Sequence, residues 1–374
     1  RPEQEYVGPR NATEETLCRL WQEVLRRERV GIHDNFFRIG GHSLLAVQVI
    51  SRIKSAFSVE IPLSVLFTAP TVARMAEHIA AVNGPDRSQS SPVLVNIQPH
   101  GSLRPFFCVH AVGGQVISYG ELSQELGQEQ PFYGLQSPPA NLFPDSDVSI
   151  EQMATLYNRE IRSVQPVGPY LLGGWSMGGL VAWEMARQLT KEGETVGLLA
   201  LIDTTPPSRY LEADDRADEM SMLARFALDM SQLVGRDPGP LVEQFSRAAA
   251  QDQWNMVEDA LINHGLLTAE KAHAEMTTLL DIFKRNFTAM NNHALHHSDQ
   301  PVVFFRAAET PEHFSERWRT WAGGGIRFHS ISGDHFTMLR QPGVRTIAQL
   351  LQEYMLKAGE QPQQVHAMSA ETRP

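Results

Sequence analysis

Three residues far apart in the chain have the types, and the order, that acyl transfer to a serine requires. Gly173-Gly174-Trp175-Ser176-Met177-Gly178-Gly179 follows the apolar run 170–173 and precedes a helical pattern over 180–189, so it reads as G-x-S-x-G at a strand–turn–helix junction. Its glycines permit a sharp turn that lifts Ser176 off the sheet. A serine hydroxyl is a weak nucleophile at neutral pH and needs a base, itself oriented by a carboxylate. Asp203 closes the apolar strand 196–202 and opens the turn Asp203-Thr204-Thr205-Pro206-Pro207, which sets a carboxylate at the sheet edge beside Ser176. Asp214 and Asp215 are weaker rivals, because they fall in a helical interval. His335, in Ser332-Gly333-Asp334-His335-Phe336, follows the last clear strand, 326–331, and a glycine turn presents it at that same edge. Of 14 histidines it alone occupies this slot; His293, His296 and His297 fit a polar surface, and the adjacent Asp334 reads as structural.

A second serine points to different chemistry. Asp34-Asn35-Phe36-Phe37-Arg38-Ile39-Gly40-Gly41-His42-Ser43-Leu44 frees the backbone with two glycines just before Ser43, at the start of an apolar helix. A helix N-terminus offers unpaired N–H groups and a positive dipole end, so it favours a phosphate attached there. The same position also suits a plain serine N-cap.

The elements that must carry these residues fall into separate segments. Residues 1–84 read as a small helical unit. Leu17, Leu20, Trp21, Val24 and Leu25 share one helix face, with Asn11 or Thr13 as its cap. A second helix begins at Ser43, and a third follows Pro70-Thr71, with Val72, Met75, Ala76 and Ile79 at helical spacing. Residues 85–92 are polar and rich in breakers, a flexible linker. From 93 to 357, apolar runs at 93–97, 105–109, 131–135, 170–173, 196–202, 302–305 and 326–331 alternate with helical patterns. That predicts a mostly parallel sheet with helices on both faces. The interval 208–300 holds only helix-like segments and reads as a lid insertion. Residues 358–374 form a polar tail.

Composition narrows the partners. The 374 residues include 43 acidic and 32 basic side chains, a net charge of −11, which repels phosphate backbones and argues against nucleic acid. No stretch approaches 18 apolar residues, so no membrane span is expected. The N-terminus lacks a secretory layout and a starting Met, so the chain is expected to be a piece of a longer one. Two cysteines, Cys18 and Cys108, make no disulfide framework, and a cytoplasmic, reducing setting is expected.

The string from Asp34 to Leu44 resembles the pattern D-x-F-F-x-x-G-G-x-S-L of peptidyl carrier proteins from nonribosomal peptide synthetases, a likeness that covers about residues 10–82. The resemblance implies an all-α four-helix carrier bundle, with 4'-phosphopantetheine on Ser43 added by a separate phosphopantetheinyl transferase. Tyr6-Val7-Gly8-Pro9-Arg10 is similar to the linker that follows an adenylation domain. Residues 93–357 resemble the type I thioesterase domain of such synthetases. Gly174-Trp175-Ser176-Met177-Gly178-Gly179, Asp203, Gly333-Asp334-His335-Phe336 and the early His110-Ala111-Val112-Gly113-Gly114 carry that likeness. It implies an α/β-hydrolase with Ser176, Asp203 and His335 as its catalytic triad. The oxyanion N–H groups would come from Met177, after the nucleophile, and from Val112, by its position in the motif. Family members often carry proline where this chain has Ala111, which leaves the Val112 assignment weaker than that of Ser176. His110 precedes the nucleophile and reads as a brace for its loop.

Together the two parts imply terminal release of a carrier-bound peptidyl thioester, by hydrolysis or by macrocyclisation. The expected partners are condensation and adenylation domains upstream in the same chain and the peptidyl substrate. Two other readings stand beside this one: an editing thioesterase that clears misloaded carriers, and a carrier fused to an inert docking domain. A secreted lipase fits less well, with no signal layout and no G-G-G oxyanion motif.

Overall fold

The computed structural model describes residues 6–41, 43–57, 59, 61, 65–82, 91, 93–139, 142, 148–207, 226, 250–263 and 272–359. The expected linker apart from Ser91, most of the lid interval before 250, and the tail from 360 lie outside the described residues, as do Asp214 and Asp215.

The N-terminal part is helical. Helix α1 (Ala12–Leu25) buries Leu17, Leu20, Trp21 and Val24, the face its spacing predicts. Of the two candidate caps it uses Asn11, whose side chain accepts from the Glu14 N–H at 2.9 Å. Helices α2 (Ser43–Phe57), α3 (Val65–Thr68) and α4 (Val72–Val82) follow. Ile50, Ile53, Val72, Met75 and Ile79 share the core of α1, and Phe36 sets its ring edge-on to Trp21 at 5.2 Å. Helix α3 lies against the first strand of the sheet that follows.

That sheet has seven strands among the described residues. They are β1 (Leu94–Gln98), β2 (Phe106–Val109), β3 (Phe132–Leu135), β4 (Tyr170–Trp175), β5 (Val196–Ile202), β6 (Val302–Ala307) and β7 (Ile326–Ile331). All seven match the apolar runs, with ends differing by one or two residues. Their order is β1-β3-β2-β4-β5-β6-β7, with β1 antiparallel to β3 and every other pair parallel. Alternate residues enter opposite cores, as a buried sheet requires. Phe107, Val109, Leu172, Leu199 and Phe304 face one way, while Phe106, Cys108, Leu171, Ala200 and Phe305 face the other. Helices α5 (Gly120–Leu126), α6 (Ile150–Val164) and α7 (Met177–Lys191) connect the early strands. Then come α8 (Ala250–Asn263) and α9 (Ala272–Asn292) from the lid interval, the short α10 (Glu312–Glu316), and α11 (Gly343–Gly359). Helices α6 and α7 pack together on one face, and α5 and α11 on the other.

The topology itself marks a site. From β2 the chain steps outward to β3, then crosses back to β4 on the other side of β2, so the connections diverge at the carboxyl ends of β2 and β4. Crevices at such switch points are where open α/β sheets bind ligands. Buried Tyr119 bridges the two strand ends there: its hydroxyl donates to the Val109 carbonyl at 2.5 Å and accepts from the Trp175 N–H at 3.1 Å.

Candidate active site

Ser176 stands at this crevice, between β4 and α7, with φ 57° and ψ −127°. A non-glycine residue at such angles costs about 1–3 kcal/mol and persists only where its surroundings dictate it. Here backbone on both sides of the elbow and the Thr204 side chain supply them. A Cβ on Gly174 would meet the Gly178 carbonyl at 2.1 Å, and one on Gly178 would meet the Val109 oxygen at 2.2 Å. A Cβ on Gly179 would strike the Thr204 hydroxyl. Glycine at these positions lets strand and helix close on each other, and the serine takes up the strain. The Ser176 N–H donates to the Ile202 carbonyl at 2.9 Å, which ties the elbow to the end of β5.

Asp203 is the next residue of β5's exit and is 2% exposed. Its φ of 42° turns the side chain back along the sheet edge. Oδ1 accepts from the Ala307 N–H at 2.9 Å. Oδ2 accepts from the Thr310 hydroxyl at 2.8 Å and from His335 Nδ1 at 2.7 Å. Burial alone would raise this carboxyl's pKa. The His335 hydrogen bond and charge, with the Ala307 N–H and the Thr310 hydroxyl, outweigh burial and hold it below the ordinary value of 3.8. The group is therefore a carboxylate, an acceptor only, so the Nδ1 of His335 carries the proton that it accepts, and Nε2 is the ring nitrogen left to face the elbow as a base.

His335 is held from two further sides. Trp175, the neighbour of Ser176, donates its indole N–H to the His335 carbonyl at 3.0 Å and lays its ring 5.1 Å from the imidazole. Asp334 has the structural role its sequence suggests. Its Oδ1 accepts from the Phe336 N–H at 2.8 Å and from the Thr337 N–H at 2.7 Å, which forms the turn that presents His335.

The oxyanion candidates lie on either side of the elbow. Met177 is the first residue of α7, so its N–H has no acceptor within the helix. Val112 lies in the loop after β2, in a turn closed by the Gly114 N–H donating to the Ala111 carbonyl at 2.9 Å. His110 braces that loop. It is fully buried, with Nδ1 2.5 Å from the Ala111 oxygen and Nε2 2.9 Å from the Tyr157 hydroxyl. Burial pushes its pKa down to about 4, so the ring is neutral and donates through one nitrogen only.

Parallel strands thus carry Ser176, Asp203, His335, Val112 and Met177 to one edge of the sheet. Ser43 stands apart, as the first residue of α2. Gly40, at φ 107°, turns the chain ahead of it, and a Cβ on Gly41 would meet the Phe36 ring at 2.3 Å.

One expectation fails. His293 is not a surface residue. It is 2% exposed and its Nδ1 is 2.9 Å from Glu151 Oε1, because the chain just past α9 meets the start of α6 there; His296 and His297 are exposed. Thr310, Trp175 as a clamp on the His335 carbonyl, and Asn286 on α9 were not picked out from the sequence. Thr310 was within reach of the strand-end argument that found Asp203, since it lies three residues past β6 at the same edge. Asn286 has no comparable signal, because helical spacing says nothing about a neighbour 174 positions away.

Comparison with known proteins bears on this geometry. A thioesterase domain model matches residues 104–354, and a phosphopantetheine attachment site model matches 15–79. A dimodular nonribosomal peptide synthase of Bacillus subtilis is 35% identical over 92% of this chain, which spans 14% of that relative's length. Chondramide synthase of Chondromyces crocatus is 31% identical over 92% of the chain, which spans 9% of it. The crystal structure of a four-domain nonribosomal peptide synthetase bound to AMP and glycine superposes with a TM-score of 0.64 at 29% identity, over 94% of this chain and 27% of that one. The Vlm2 thioesterase domain aligns at TM-score 0.52 and 22% identity, over 70% of this chain and 96% of its own, a likeness of fold.

Proposed function

Because the chain belongs to the thioesterase domain family, with a phosphopantetheine attachment site on its N-terminal side, we propose that it releases a finished peptidyl chain from its own carrier. The observation that carries the reading is the buried Asp203–His335 pair, 2.7 Å apart, at the sheet edge where the strained Ser176 elbow stands. We divide the chain into a carrier domain over 1–84, a linker over 85–92, a thioesterase domain over 93–357 with its lid about 208–300, and a tail over 358–374.

The turn at Gly40-Gly41 and the start of α2 at Ser43 suit a phosphate ester, because the helix N-terminus faces it with unpaired N–H groups and a positive dipole end. Joined to Ser43, 4'-phosphopantetheine supplies a thiol on a long arm, which holds the acyl group as a thioester.

The residues of the second domain do the rest. Nε2 of His335 accepts the Ser176 proton as Oγ bonds to the thioester carbonyl carbon. Asp203 keeps the imidazole in the tautomer that leaves Nε2 basic and stabilises the ring once charged. The N–H groups of Met177 and Val112 receive the oxyanion. His335 then protonates the departing sulfur, and a peptidyl ester remains on Ser176. In the second half His335 deprotonates the incoming nucleophile, which bonds to the acyl carbon as the ester bond to Ser176 Oγ breaks, and His335 returns the proton to Oγ; water gives a linear acid, and an amine or hydroxyl of the peptide gives a macrocycle. Tethering supplies effective concentration, so the two domains need no tight mutual affinity.

Condensation and adenylation domains upstream in the same chain, and a phosphopantetheinyl transferase acting on Ser43, complete the proposed setting. We place it in a reducing cytoplasm. The chain's two cysteines, Cys18 and Cys108, are buried and make no disulfide with each other. Among the described residues no helix is long and apolar enough to cross a membrane.

The test is intact-protein mass spectrometry after a phosphopantetheinyl transferase loads a peptidyl-pantetheine. Ser43→Ala is expected to refuse the load. Ser176→Ala is expected to keep the acyl group that the wild type sheds. Equal retention by wild type and Ser176→Ala, across several peptides, would falsify the release reading. The mass of the freed product separates acid from macrocycle.

A further inference from the structure

Asn286 lies on α9, yet its side chain is fully buried and aimed away from its own helix. Its Nδ2 donates to the Val112 carbonyl at 2.8 Å, and its Oδ1 accepts from the Ser137 hydroxyl at 3.2 Å. Arg285 Nη2 donates to Ser137 Oγ at 2.9 Å, which leaves the hydroxyl proton free to point at Asn286. That proton fixes which way the amide faces, since only its NH2 end can donate to a carbonyl. The fit is close: a Cβ on Gly114 would come 2.7 Å from Ile282 Cγ2 and 3.4 Å from Asn286 Nδ2.

The bonded carbonyl belongs to the middle peptide of a turn. The Gly114 N–H and Ala111 carbonyl close residues 111–114 at 2.9 Å, with Val112 and Gly113 between them. The middle peptide of a β-turn can face either way, and a glycine at the third position tolerates both choices. The first peptide is already set. The Ala111 carbonyl is held by Gly114 and His110, and a trans peptide sends the Val112 N–H in the opposite direction. Among the described residues the bond from Asn286 holds the second plane, and with it the ψ angle of Val112. Both orientations of that peptide keep the closing hydrogen bond, so the bond from Asn286 acts on the place of the turn: it anchors residues 111–114 to α9, and without it the turn, with the Val112 N–H, can shift against the Ser176 elbow.

We infer that Asn286 is a positioning residue for acyl transfer: by pinning the middle peptide of the 111–114 turn it keeps the Val112 N–H aimed at the oxyanion, and it ties that donor to α9. The inference rests on Val112 being an oxyanion donor in the proposed reaction. Its consequence is that any displacement of α9 during substrate entry slackens one half of the oxyanion hole, so full activity returns only when the helix is seated.

The experiment uses the full chain with a peptidyl N-acetylcysteamine thioester and a peptidyl boronic acid, whose tetrahedral adduct on Ser176 places an oxygen where the oxyanion forms. Asn286→Asp keeps the shape but faces the Val112 carbonyl with an acceptor; Asn286→Ala removes the bond without repulsion. For both, kcat should fall about tenfold to a hundredfold, short of the 10²–10³-fold typical of losing an oxyanion donor outright. KM should stay within about threefold, and boronate affinity should fall in proportion to kcat/KM. Fluorophosphonate titration counts competent sites, so a merely structural role would appear as lost sites rather than as slower turnover per site. Unchanged kcat per titrated site in both variants, or a loss confined to KM, overturns the inference. Amide hydrogen exchange gives a readout independent of turnover: peptides covering 110–114 should exchange faster in Asn286→Ala, and unchanged protection there overturns it as well. Failure of the release reading looks different, as a wild-type rate that Ser176→Ala does not alter.

Discussion

Ser43 and Ser176 share a local sequence, Gly-Gly-His-Ser in one case and Gly-Gly-Trp-Ser in the other, and each stands at the head of a helix. The chain uses the pattern in two ways. Before Ser43 the glycines form a loop. Gly40 has φ 107° with nothing near its missing Cβ, and only Gly41 is crowded, by the Phe36 ring and the Phe36 carbonyl oxygen. Before Ser176 the glycines lie inside a central strand. There Gly173 makes room for Phe106 at 2.6 Å and Gly174 for the backbone of α7. Ser43 opens α2 as its first residue, whereas Ser176 precedes α7 at angles outside the helical region. A serine that carries a tether needs only to be presented, because the arm supplies the reach. A serine that attacks must be placed to within a fraction of an ångström of its base and its oxyanion donors. The second requirement explains why Gly173, Gly174, Gly178 and Gly179 are all crowded around the elbow, Gly174 and Gly178 by backbone.

The largest effect that can break this comparison comes from one added methyl group on each side. Gly178→Ala puts a Cβ 2.2 Å from the Val109 oxygen and 2.6 Å from the His110 oxygen, with no flexible side chain to yield. The elbow and the loop carrying Val112 must part, and turnover should fall about 10²-fold or more. Gly40→Ala meets nothing within 4 Å and carries only the strain of φ 107°, on the order of 1–2 kcal/mol. Its loading by a phosphopantetheinyl transferase should stay near the wild-type rate. Peptide release and carrier loading, measured on the same two variants, check both halves. Loss of loading in Gly40→Ala would show that the tether site is as tightly placed as the nucleophile.

The same contrast explains what could be read from the chain before folding. That Ser176, Asp203 and His335 come to one sheet edge was legible, because each ends or follows a parallel strand, and parallel strands deliver their exits to one edge by topology alone. Ser43 was legible from a contiguous string. The burial of His293 was not, because it depends on how the chain just past α9 meets α6, a contact between residues 142 positions apart. Asn286 was hidden for the same reason. Its role lies in what its helix packs against, and a helix's spacing reveals which face is apolar but not which loop one polar residue on that face will meet.

A smaller effect sharpens the comparison through charge. The active-site edge buries a titratable ring in His110, whereas the tether loop relies on a helix end. His110's folded pKa of about 4 lies below the ordinary 6.5, so the unfolded chain binds the extra proton first. Stability is therefore lost as pH falls from about 6.5 towards 4, and the loss levels off below that. Between pH 7 and 4.5 the contribution is about 2 kcal/mol. Asp203, held below 3.8, titrates beneath this window. His110→Asn stays neutral throughout, so urea unfolding should show it losing about 2 kcal/mol less than wild type across that range. Parallel pH profiles for the two proteins would mean that the ring is hydrated in the native state.

The smallest effect asks whether the two regions unfold as separate bodies. Asn11 caps α1 through one bond to the Glu14 N–H, and Ser149 caps α6 through a reciprocal box with Gln152. Replacing either with Ala costs about 1 kcal/mol. The temperature shift that results depends on the entropy of the unit that melts. A unit of 60–100 residues moves about 4–8 °C per kcal/mol, and one of 150–250 residues about 2–4 °C. In differential scanning calorimetry, Asn11→Ala should therefore lower an early, small transition by roughly twice as much as Ser149→Ala lowers the main one. Equal shifts of a single transition would mean that the packing of α3 against β1 joins carrier and thioesterase into one cooperative unit. In the proposed setting the carrier leaves to collect its cargo upstream and cannot be bound that firmly, so the calorimetric ratio also tests that proposal.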